Sequence, residues 1–458
     1  MSKKTVSEIA FLCDALATSP DEPALIWRES VVTAGDILEL IEEAEGQLEA
    51  ENISPGDVVL LVADYSPRAA AYLLALIKRR AITVPLTPGV LARSSRYLEI
   101  AEPTRAVRIS EDDAATVEIL TPGGGENDLY GYLRSDDCPG LVLFTSGSTG
   151  EPKGVVHDFS RLLEKFKRPR PAMSMVAFLM FDHWGGLNTL LHGFSSGSLM
   201  AFPGDRQPHH ICGLIERHRL ELLPASPTFL NLLIMSGAHR ESDLSSLKLI
   251  TYGAEPMPLA TLEAVRRELP EVEMRQTYGL IELGVMRSKS KSSDSLWVKI
   301  GGDGYETRIK GDLLEIKADA AMLGYLNAPS PFTDDGWFMT GDAVETKDGF
   351  YRILGRASEL INVGGQKVYP AEVETVLLEC AAVKDAVVYG ERNPITGKIV
   401  CADVIPVTPG DAAELRRIIK RHCQENMESF KVPVRINIKE GVVYGDRLKR
   451  KRPVESKT

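Results

Sequence analysis

Short apolar segments alternate with amphipathic segments along most of this chain. Near the N-terminus the pattern predicts a strand at Val58–Ala63, a helix at Pro67–Lys78 and a second strand at Ile82–Pro85. Strands that alternate with helices are typical of parallel sheets whose faces are covered by helices. The alternation continues beyond residue 150, with strands predicted near Val176–Met180, Leu199–Phe202, Leu220–Leu223, Leu247–Tyr252 and Val272–Thr277, and with helices predicted from Gly186, over Pro208–Arg217 and over Pro258–Glu268.

The pattern changes from about Gly301 onward. Tight turns such as Asp335-Gly336 and Asp348-Gly349 between short strands indicate a small β-rich subdomain. After Arg356 a further unit is predicted, with a helix from Pro370, strands near Val383–Tyr389 and Val400–Ile405, and a helix over Ala412–Glu425. The predicted fold class is α/β, with a large N-terminal domain of doubly wound sheets plus a β-rich subdomain over residues 1–355 and a small α+β C-terminal domain over residues 356–458.

Length, composition and charge narrow the class of protein. A chain of 458 residues with 44% hydrophobic and 26% charged residues is long enough for two or three domains with separate cores. The formal net charge of -11 argues against a general nucleic-acid binder, because a phosphate backbone requires a basic face. The exception is the basic run Lys449–Arg452, which is either a solvated tail or a contact to a phosphorylated ligand.

The cysteines and the apolar stretches indicate the compartment. The six cysteines show neither zinc-ligand spacing nor a disulfide framework, which fits a reducing compartment. The N-terminal apolar stretch is interrupted by Asp14 and lacks a cleavage pattern, so no signal peptide is predicted. No membrane span is predicted either, because the long stretch Met175–Phe194 contains Asp182 and His183. We therefore expect a cytoplasmic protein.

A loop rich in Thr, Ser and Gly follows the predicted strand that begins at Leu141. The segment Leu141–Val156 reads LVLFTSGSTGEPKGVV and closes on Pro152, Lys153 and Gly154. Such loops bind phosphate because small residues let backbone N–H groups converge on the anion, while hydroxyls and a lysine add donors and positive charge. Because Gly154 follows the lysine, the loop is not a Walker A motif. The expected ligand is a polyphosphate, and the alternative is a surface turn without a ligand.

Two later segments follow apolar strands and carry an aromatic ring or a carboxylate. They are Tyr252–Pro256 and Gln276–Glu282. A ring beside a nucleotide can stack on the adenine, and a carboxylate near a polyphosphate can hold Mg²⁺, a hard cation that prefers oxygen ligands. Taken alone, Tyr278 is more readily a packing residue and Glu282 a helix-capping acid. Their position after the phosphate loop favours the functional interpretation.

Two further motifs lie in the β-rich part of the chain. Phe338–Asp342 ends in a carboxylate that can accept both ribose hydroxyls, and Leu354–Arg356 ends in an arginine that can contact ribose or phosphate through two donors. A Gly-Asp turn is common, so Asp342 alone is weak evidence. All four motifs in this order are much stronger evidence for a nucleotide site than Asp342 alone.

In this order the motifs resemble those of the adenylate-forming superfamily, which includes acyl-CoA synthetases, adenylation domains of non-ribosomal peptide synthetases and luciferase-like enzymes. The resemblance covers Leu141 to the C-terminus. It implies that a carboxylate attacks the α-phosphate of MgATP to give acyl-adenylate and pyrophosphate, and that a nucleophile, usually a pantetheine thiol, then displaces AMP. It also implies that the C-terminal domain rotates between these half-reactions.

The same resemblance implies roles for residues of this chain. The β- and γ-phosphates would be held by Thr145, Ser146, Gly147, Ser148, Thr149, Gly150 and Lys153. The nucleotide base would be bounded by Gly253, Ala254, Glu255, Pro256, Tyr278 and Gly279. Glu282 would bind Mg²⁺, Asp342 and Arg356 would bind the ribose, and His183 would gate the channels of the acid and the thiol.

Three positions depart from the family pattern. Ile281 stands where a Thr commonly precedes the magnesium glutamate, so that hydrogen bond is absent or comes from Thr277. Ser358 stands at the hinge in place of Asp or Lys, and a small polar residue can still absorb the rotation. The third departure is at the catalytic lysine that the family carries near its C-terminus. If the family motif is aligned without a gap, Arg447 stands at the position of this lysine, and if the alignment is shifted by one residue, Lys449 can serve. We prefer Lys449 slightly, because a compact ammonium group suits an α-phosphate oxygen.

The sequence therefore predicts an ATP-dependent carboxylate ligase of the acyl-CoA synthetase type that uses ATP, Mg²⁺ and CoA or another pantetheine thiol. Asp182 is out of register with the aspartate that pairs with a substrate amine, so a simple carboxylic acid is expected rather than an α-amino acid. Two alternatives stay open. The acyl group passes to a carrier protein or an amine, or the chain is a non-catalytic relative that binds nucleotide.

Overall fold

The computed structural model describes residues 7–120, 126–146, 151–439 and 452. Within these ranges the α-helices are α1 (Ala10–Ala17), α2 (Ala34–Ala50), α3 (Pro67–Lys78), α4 (Pro88–Leu91), α5 (Arg96–Ala101), α6 (Asp128–Ser135), α7 (Phe159–Leu163), α8 (Trp184–Ser196), α9 (Pro208–His218), α10 (Pro227–Ser236), α11 (Ala238–Glu241), α12 (Leu259–Glu268), α13 (Pro370–Glu379) and α14 (Ala412–Asn426). Short 3₁₀ helices cover Glu164–Lys167 and Ala357–Glu359.

The strands fall into two groups along the chain. Those before residue 300 are β1 (Pro23–Trp27), β2 (Ser30–Thr33), β3 (Val58–Val62), β4 (Ile82–Leu86), β5 (Arg105–Ile109), β6 (Ala115–Ile119), β7 (Gly140–Ser146), β8 (Pro152–Asp158), β9 (Met175–Val176), β10 (Met200–Phe202), β11 (Leu222–Ala225), β12 (Leu249–Tyr252), β13 (Glu273–Gln276), β14 (Gly279–Leu280), β15 (Gly284–Val285), β16 (Arg287–Ser290) and β17 (Val298–Gly301). The later ones are β18 (Tyr305–Lys310), β19 (Leu313–Ala318), β20 (Gly324–Tyr325), β21 (Phe338–Lys347), β22 (Phe350–Arg356), β23 (Ile361–Val363), β24 (Gln366–Val368), β25 (Val383–Asn393), β26 (Gly397–Pro406) and β27 (Arg435–Ile438).

Two seven-stranded sheets form the large N-terminal part, in the orders β13-β12-β11-β9-β10-β1-β2 and β20-β8-β7-β4-β3-β5-β6. The inner strands run parallel, whereas β2, β6 and β8 pair antiparallel with their neighbours. The fold class is confirmed as α/β with a large N-terminal and a smaller C-terminal domain, and the sheets are mixed at their edges. Helix α3 starts where the Ser66 hydroxyl accepts from the Ala69 N–H and Pro67 occupies the first turn.

The main hydrophobic core lies between these two sheets. Along β3, Val59 and Leu61 face this core, and Val58 and Leu60 face a second core on the other side of the sheet. Alternating residues of a strand point to opposite faces, so a strand buried on both faces is apolar throughout. Helix α3 lies within the core and is buried on nearly all sides, which accounts for its uniformly apolar sequence.

The phosphate-loop segment differs from its prediction. We placed Pro152–Gly154 in the loop, but these residues begin β8, an antiparallel partner of β7. Thr145 lies opposite Lys153 in this hairpin, and Ser146 lies opposite Pro152. The alternating pattern was masked because Pro and Gly at 152 and 154 are rare inside strands. The lysine is therefore held by a sheet ladder.

The β-rich part is a six-stranded antiparallel sheet in the order β16-β17-β22-β21-β19-β18. The C-terminal sheet has the order β24-β23-β26-β25, with β27 parallel to β26, and it shares its own core with α13 and α14. Strand β22 ends at Arg356, and Ser358 lies in the 3₁₀ turn that follows it. The domain boundary at residue 355 stays a prediction. Among the described helices, none combines the length and the apolar character needed to cross a lipid bilayer.

Candidate active site

The motif residues gather around the ends of β7, β12 and β13 and the middle of the six-stranded sheet. On one side, the Lys153 ammonium lies 5.2 Å from the centroid of the Tyr325 ring. The Tyr325 hydroxyl donates to Glu282 Oε1 at 2.7 Å. Strand β20 carries Tyr325 to this place by pairing with β8. The structure thus joins the predicted phosphate lysine and the predicted magnesium ligand through a tyrosine that the sequence analysis missed.

The second strand of the hairpin is anchored at its start. The Gly154 N–H donates to Asn327 Oδ1 at 3.1 Å, and Asn327 Nδ2 donates to the Pro152 carbonyl at 2.9 Å. A Cβ at Gly154 would lie 2.8 Å from Leu326 Cδ1 and 3.1 Å from Ile100 Cγ2, so these two side chains pack closely on the glycine. The backbone before and after Lys153 is therefore tied down. Thr145 and Ser146 end β7, and the predicted residues Gly147, Ser148, Thr149 and Gly150 lie outside the described residues.

The segment that carries Glu282 is held by its backbone. The carbonyl of Ile281 lies 2.7 Å from His157 Nε2, and the Glu282 carbonyl accepts from the Met322 N–H at 2.8 Å. Burial lowers the pKa of His157 to about 4, so its imidazole is neutral and Nε2 carries the proton that it donates. His157 was not predicted, because a single histidine in a strand gives no spacing signal. Its role here is to position the backbone beside Glu282.

The predicted base-binding segment follows β12 and touches the end of β13. A Cβ at Gly253 would lie 2.6 Å from Thr277 Oγ1, and the Thr277 N–H donates to the Tyr252 carbonyl at 2.7 Å. Ala254 has a φ of 73°, a left-handed conformation that is uncommon for alanine. Glu255 Oε1 accepts from the Thr228 N–H at 2.8 Å, which ties the segment to the first turn of α10. Glu255 therefore has a structural contact in addition to its predicted role, and Pro256 follows it in the same loop.

The buried side chains of Tyr278 and Asp342 and the half-exposed side chain of Arg356 form a hydrogen-bonded group, called here the ribose cluster. The Tyr278 hydroxyl donates to Asp342 Oδ2 at 2.5 Å, and Arg356 Nε lies 2.7 Å from Asp342 Oδ1. Asp342 and Arg356 are directly opposite each other in the β21–β22 ladder, so the pairing follows from register. Arg356 also donates to the Thr340 carbonyl at 2.8 Å.

The pKa shifts of the ribose cluster follow from its burial. Burial raises the pKa of Asp342 although Arg356 and Tyr278 act in the opposite direction. Burial and the Asp342 charge raise the pKa of Tyr278 well above its ordinary value, so the phenol keeps its proton. The carboxylate of Glu282 acts on the pKa of both Asp342 and Arg356, which places it near this group. The predicted ribose and base residues are thus brought together, and Gly279 begins the short strand that leads to Glu282.

His183 and Asp182 precede α8. His183 is the N-cap of this helix, and its Nδ1 accepts from the Gly185 N–H at 3.1 Å. This hydrogen bond assigns the proton of the neutral ring to Nε2. Asp182 is buried, and its Oδ2 lies 3.3 Å from the Thr87 hydroxyl. Asp182 therefore fastens the start of α8 to the loop after β4. That it is out of register for a substrate amine stays a prediction.

The C-terminal basic run has one described residue, Arg452. Its Nη2 lies 3.0 Å from Glu374 Oε1, its Nη1 lies 3.1 Å from Glu359 Oε2 and its Nε donates to the Val388 carbonyl at 3.1 Å. Glu374 is almost fully buried. Arg452 is thus anchored in the C-terminal domain rather than being part of a solvated tail. The two candidates for the catalytic cation, Arg447 and Lys449, lie outside the described residues.

Comparison with known proteins agrees with this arrangement. Residues 13–301 match the family model of AMP-binding enzymes, and residues 372–443 match the model of the C-terminal domain of AMP-binding enzymes. The 2-succinylbenzoate–CoA ligase of Listeria monocytogenes serotype 4b (strain F2365) is 26% identical over 453 residues, which cover 92% of this chain and 93% of that protein.

Two solved structures show the same fold. The first is an anthranilate CoA ligase in complex with anthranoyl-AMP, with a TM-score of 0.78, 20% identity and coverage of 94% of this chain and 93% of that chain. The second is an amide bond synthetase from Marinactinospora thermotolerans, with a TM-score of 0.74, 21% identity and coverage of 96% and 97%. The family match and the shared fold confirm the resemblance that the motifs indicated.

Proposed function

This chain belongs to the family of AMP-binding enzymes, and from this premise we propose that it is an ATP-dependent carboxylic acid ligase. It joins an acid to the AMP part of ATP with release of pyrophosphate and then transfers the acyl group to a thiol. The proposed acceptor thiol is that of CoA, since the Listeria relative is named as a CoA ligase.

One observation carries the proposal. A line of polar groups runs from Lys153 through Tyr325 and Glu282 to the ribose cluster. A cation, a carboxylate and then a carboxylate–arginine pair match, in this order, the triphosphate, its divalent cation and the ribose of ATP. A structural role alone does not require this order along one surface.

The residues have the following proposed tasks. Lys153 neutralises charge on the β- and γ-phosphates together with the loop between β7 and β8, so that the acid carboxylate approaches the α-phosphate with less repulsion. Asp342 accepts from the ribose hydroxyls, and Arg356 keeps this carboxylate in place. His183 lies at the start of α8, where its Nε2 carries the proton, and lines the path of the acid and the thiol.

The donor set fits Mg²⁺. Glu282 offers a carboxylate whose Oε1 is already held by Tyr325, and Mg²⁺ is commonly bound by one or two carboxylates with phosphate oxygens and water completing the shell. The bound ion would supply charge neutralisation at the phosphates. The contribution of this chain is to hold Glu282 in one position through Tyr325 and through the backbone contacts of Ile281 and Glu282.

A substrate screen tests the proposal. The purified full chain is incubated with MgATP and with fatty, aryl and amino acids, including 2-succinylbenzoate, and pyrophosphate is measured. We expect pyrophosphate release with at least one acid, and AMP release that requires CoA. AMP release with an amine or a carrier protein but not with CoA would assign the alternative acceptor. ATP binding without pyrophosphate from any acid would overturn the proposal and identify a non-catalytic nucleotide-binding relative.

Single replacements decide which C-terminal cation is catalytic. Lys449→Ala is expected to lower the rate of adenylation by about 10²-fold or more, because it removes the charge that meets the α-phosphate, and to spare thiol transfer from preformed acyl-adenylate. Arg447→Ala serves as the matched variant and is expected to retain most of the adenylation rate. The reverse outcome would assign the role to Arg447. If neither replacement lowers the adenylation rate, neither Lys449 nor Arg447 is the catalytic cation.

A further inference from the structure

Three basic side chains on or near α8 have no carboxylate partner among the described residues. They are Lys165, Arg170 and His192, called here the cationic cluster. Within the part of the chain that the structure describes, none of them forms an ion pair, and Lys165 instead donates to Asn188 Oδ1 and, at 3.1 Å, to the Val285 carbonyl. The neighbouring Lys167 and Arg168 are paired with Glu164 and Asp303. In a chain with a net charge of -11, this lack of counter-charges is unusual.

The cluster has defined geometry. Trp184, Asn188 and His192 are spaced four residues apart in α8 and therefore share one face of the helix. The Lys165 ammonium lies 5.5 Å from the centroid of the Trp184 ring, and the rings of Phe166 and His192 have centroids 4.6 Å apart. The helix face and the 3₁₀ turn at Glu164–Lys167 thus bring the lysine and the histidine to one place.

Several polar atoms of the cationic cluster and of the adjoining Trp184 are buried without a hydrogen-bond partner in the described structure. Both ring nitrogens of His192 and the indole Nε1 of Trp184 are buried and make no hydrogen bond within the described structure. Burial, aided by the charge of Arg170, lowers the pKa of Lys165 to about 7. Burial and the charges of Arg170 and Lys165 also lower the pKa of His192. Each basic group is thus destabilised in its charged form, which is the expected result when the counter-charge is missing.

The position of the cluster connects it with the proposed reaction. The Val285 carbonyl that Lys165 contacts belongs to β15, and the turn between β14 and β15 carries Glu282. A Cβ at Gly284 would lie 3.1 Å from Trp184 Nε1, so this turn packs directly on α8. Helix α8 in turn begins at His183. The cluster therefore lies between the segments of the proposed magnesium ligand and the proposed channel histidine.

We propose that the cationic cluster is an anion subsite that binds a second carboxylate of the acid substrate, so that the enzyme activates a dicarboxylic acid. The inference rests on the proposed function. One carboxylate of the substrate is activated at the α-phosphate, and the other supplies the counter-charge that Lys165 lacks, with the exposed guanidinium of Arg170 nearby. Charge-assisted hydrogen bonds of this kind are about twice as strong as neutral ones, and a partly dry environment strengthens them.

Matched pairs of acids test the inference. Each pair shares an aliphatic or aryl skeleton and differs only in a second carboxylate, and kcat/KM for pyrophosphate release is measured with the full chain. The wild-type protein is expected to prefer the diacid by about tenfold or more, and Lys165→Met is expected to lower kcat/KM for the diacid by about 10- to 100-fold, which corresponds to one hydrogen bond to a charged group. The KM for the diacid should rise while the KM for ATP stays constant.

Controls keep the result specific. Lys167→Met alters an exposed, paired lysine of the same 3₁₀ turn and should leave the kinetics of both acids unchanged. Lys165→Arg keeps the charge and should retain the preference for the diacid. Turnover of the monoacid and the thermal unfolding midpoint report whether Lys165→Met is folded, and the monoacid rate should change by less than about threefold.

Two outcomes separate the inference from the function on which it rests. If the wild-type protein has equal kcat/KM for the monoacid and the diacid of a pair, or if Lys165→Met leaves the ratio of these two values unchanged, the proposed anion subsite is wrong and the ligase function stands. If no acid of either kind releases pyrophosphate, the ligase function fails and the subsite fails with it.

Discussion

The ribose cluster and the cationic cluster each combine buried polar groups with an exposed arginine, yet they differ in how charge is balanced. In the ribose cluster, Asp342 receives hydrogen bonds from Tyr278 and Arg356, so a carboxylate, a cation and a donor satisfy one another. In the cationic cluster, Lys165 contacts an amide oxygen, a backbone carbonyl and the rings of Phe166 and Trp184 among the described residues, but no carboxylate. The first arrangement is balanced in charge without a ligand, and the second lacks a counter-charge, which a bound anion would supply.

The difference indicates what each place recognises. A preassembled carboxylate with its arginine fits a neutral partner such as a ribose, whose hydroxyls donate hydrogen bonds without adding charge. A buried cation without a counter-charge, such as Lys165, is unfavourable to the folded protein and fits a substrate that carries negative charge. The two clusters should therefore respond in opposite directions when a charged member is removed.

The largest effect is expected for the paired cluster. Asp342→Ala leaves the Arg356 guanidinium and the Tyr278 hydroxyl without their shared acceptor, so we expect a loss of about 2–3 kcal/mol in the free energy of unfolding, at the lower end for buried pairs because Arg356 reaches solvent. Adenylation should fall by about 10²-fold. Denaturant unfolding and pyrophosphate release measure the two effects.

The same two strands offer a matched control. Glu345 and Arg352 pair across β21 and β22 at 3.7 Å, but both side chains are exposed. Glu345→Ala is expected to change the free energy of unfolding by less than about 1 kcal/mol and to leave adenylation intact. Equal losses for the two variants would contradict the distinction between the buried carboxylate of Asp342 and the exposed carboxylate of Glu345.

An intermediate effect is expected from the pH dependence of the unpaired cluster. The folded-state pKa of Lys165, about 7, is below its ordinary value of 10.5. The destabilisation of the folded state by this group is therefore present in full below pH 7 and declines to zero as the pH rises toward 10.5. We expect Lys165→Met to be more stable than the wild-type protein at pH 6, and this difference to shrink by pH 9. The KM for a diacid should rise above pH 7 in the wild-type protein only.

The surroundings of Lys165 support this assignment of the titration. Arg170 lowers the pKa of Lys165, and Arg275 and Arg287 lie near Arg170, so the charges acting on the group are positive. The pKa of His192 is already about 2, so it does not titrate between pH 6 and 9. Thermal unfolding and initial rates across this range measure both effects. A stability difference that grows with pH would contradict the assignment.

The smallest effect is expected for the tyrosine between Lys153 and Glu282. Tyr325→Phe keeps the ring beneath the lysine but removes the hydrogen bond to Glu282 Oε1. We expect the Mg²⁺ concentration for half-maximal rate to rise by about three- to tenfold, because a partly exposed hydrogen bond to a carboxylate is lost. Tyr351→Phe, which removes a hydroxyl contact to Thr307, is the control and should leave this concentration unchanged.

Much of the fold followed from local pattern. Helix α3 has the bounds Pro67–Lys78 that were predicted, because a serine cap, a first-turn proline and a continuous apolar run act locally. The strand predicted near Val176–Met180 was wrong in extent, since β9 covers only Met175–Val176. The residues after it lead instead into the cap of α8. Apolar composition alone does not show where a ladder partner ends.

The motifs of the nucleotide side could be recognised from residues adjacent in sequence. Loop composition, Gly turns and a carboxylate or arginine at a strand end are properties of short segments, and their order along the chain was enough to indicate the family. The pairing of Asp342 with Arg356 already follows from one hairpin, β21–β22. These features needed no knowledge of distant contacts.

Other features were decided by contacts between segments far apart in the chain. Tyr325 reaches Glu282 only because β20 pairs with β8, and Lys165 contacts Val285 across 120 residues of sequence. Arg452 is anchored by Glu374 of α13. A lone tyrosine, lysine or arginine has no local signature, and whether its charge is balanced depends on which groups the packing of the whole chain places beside it.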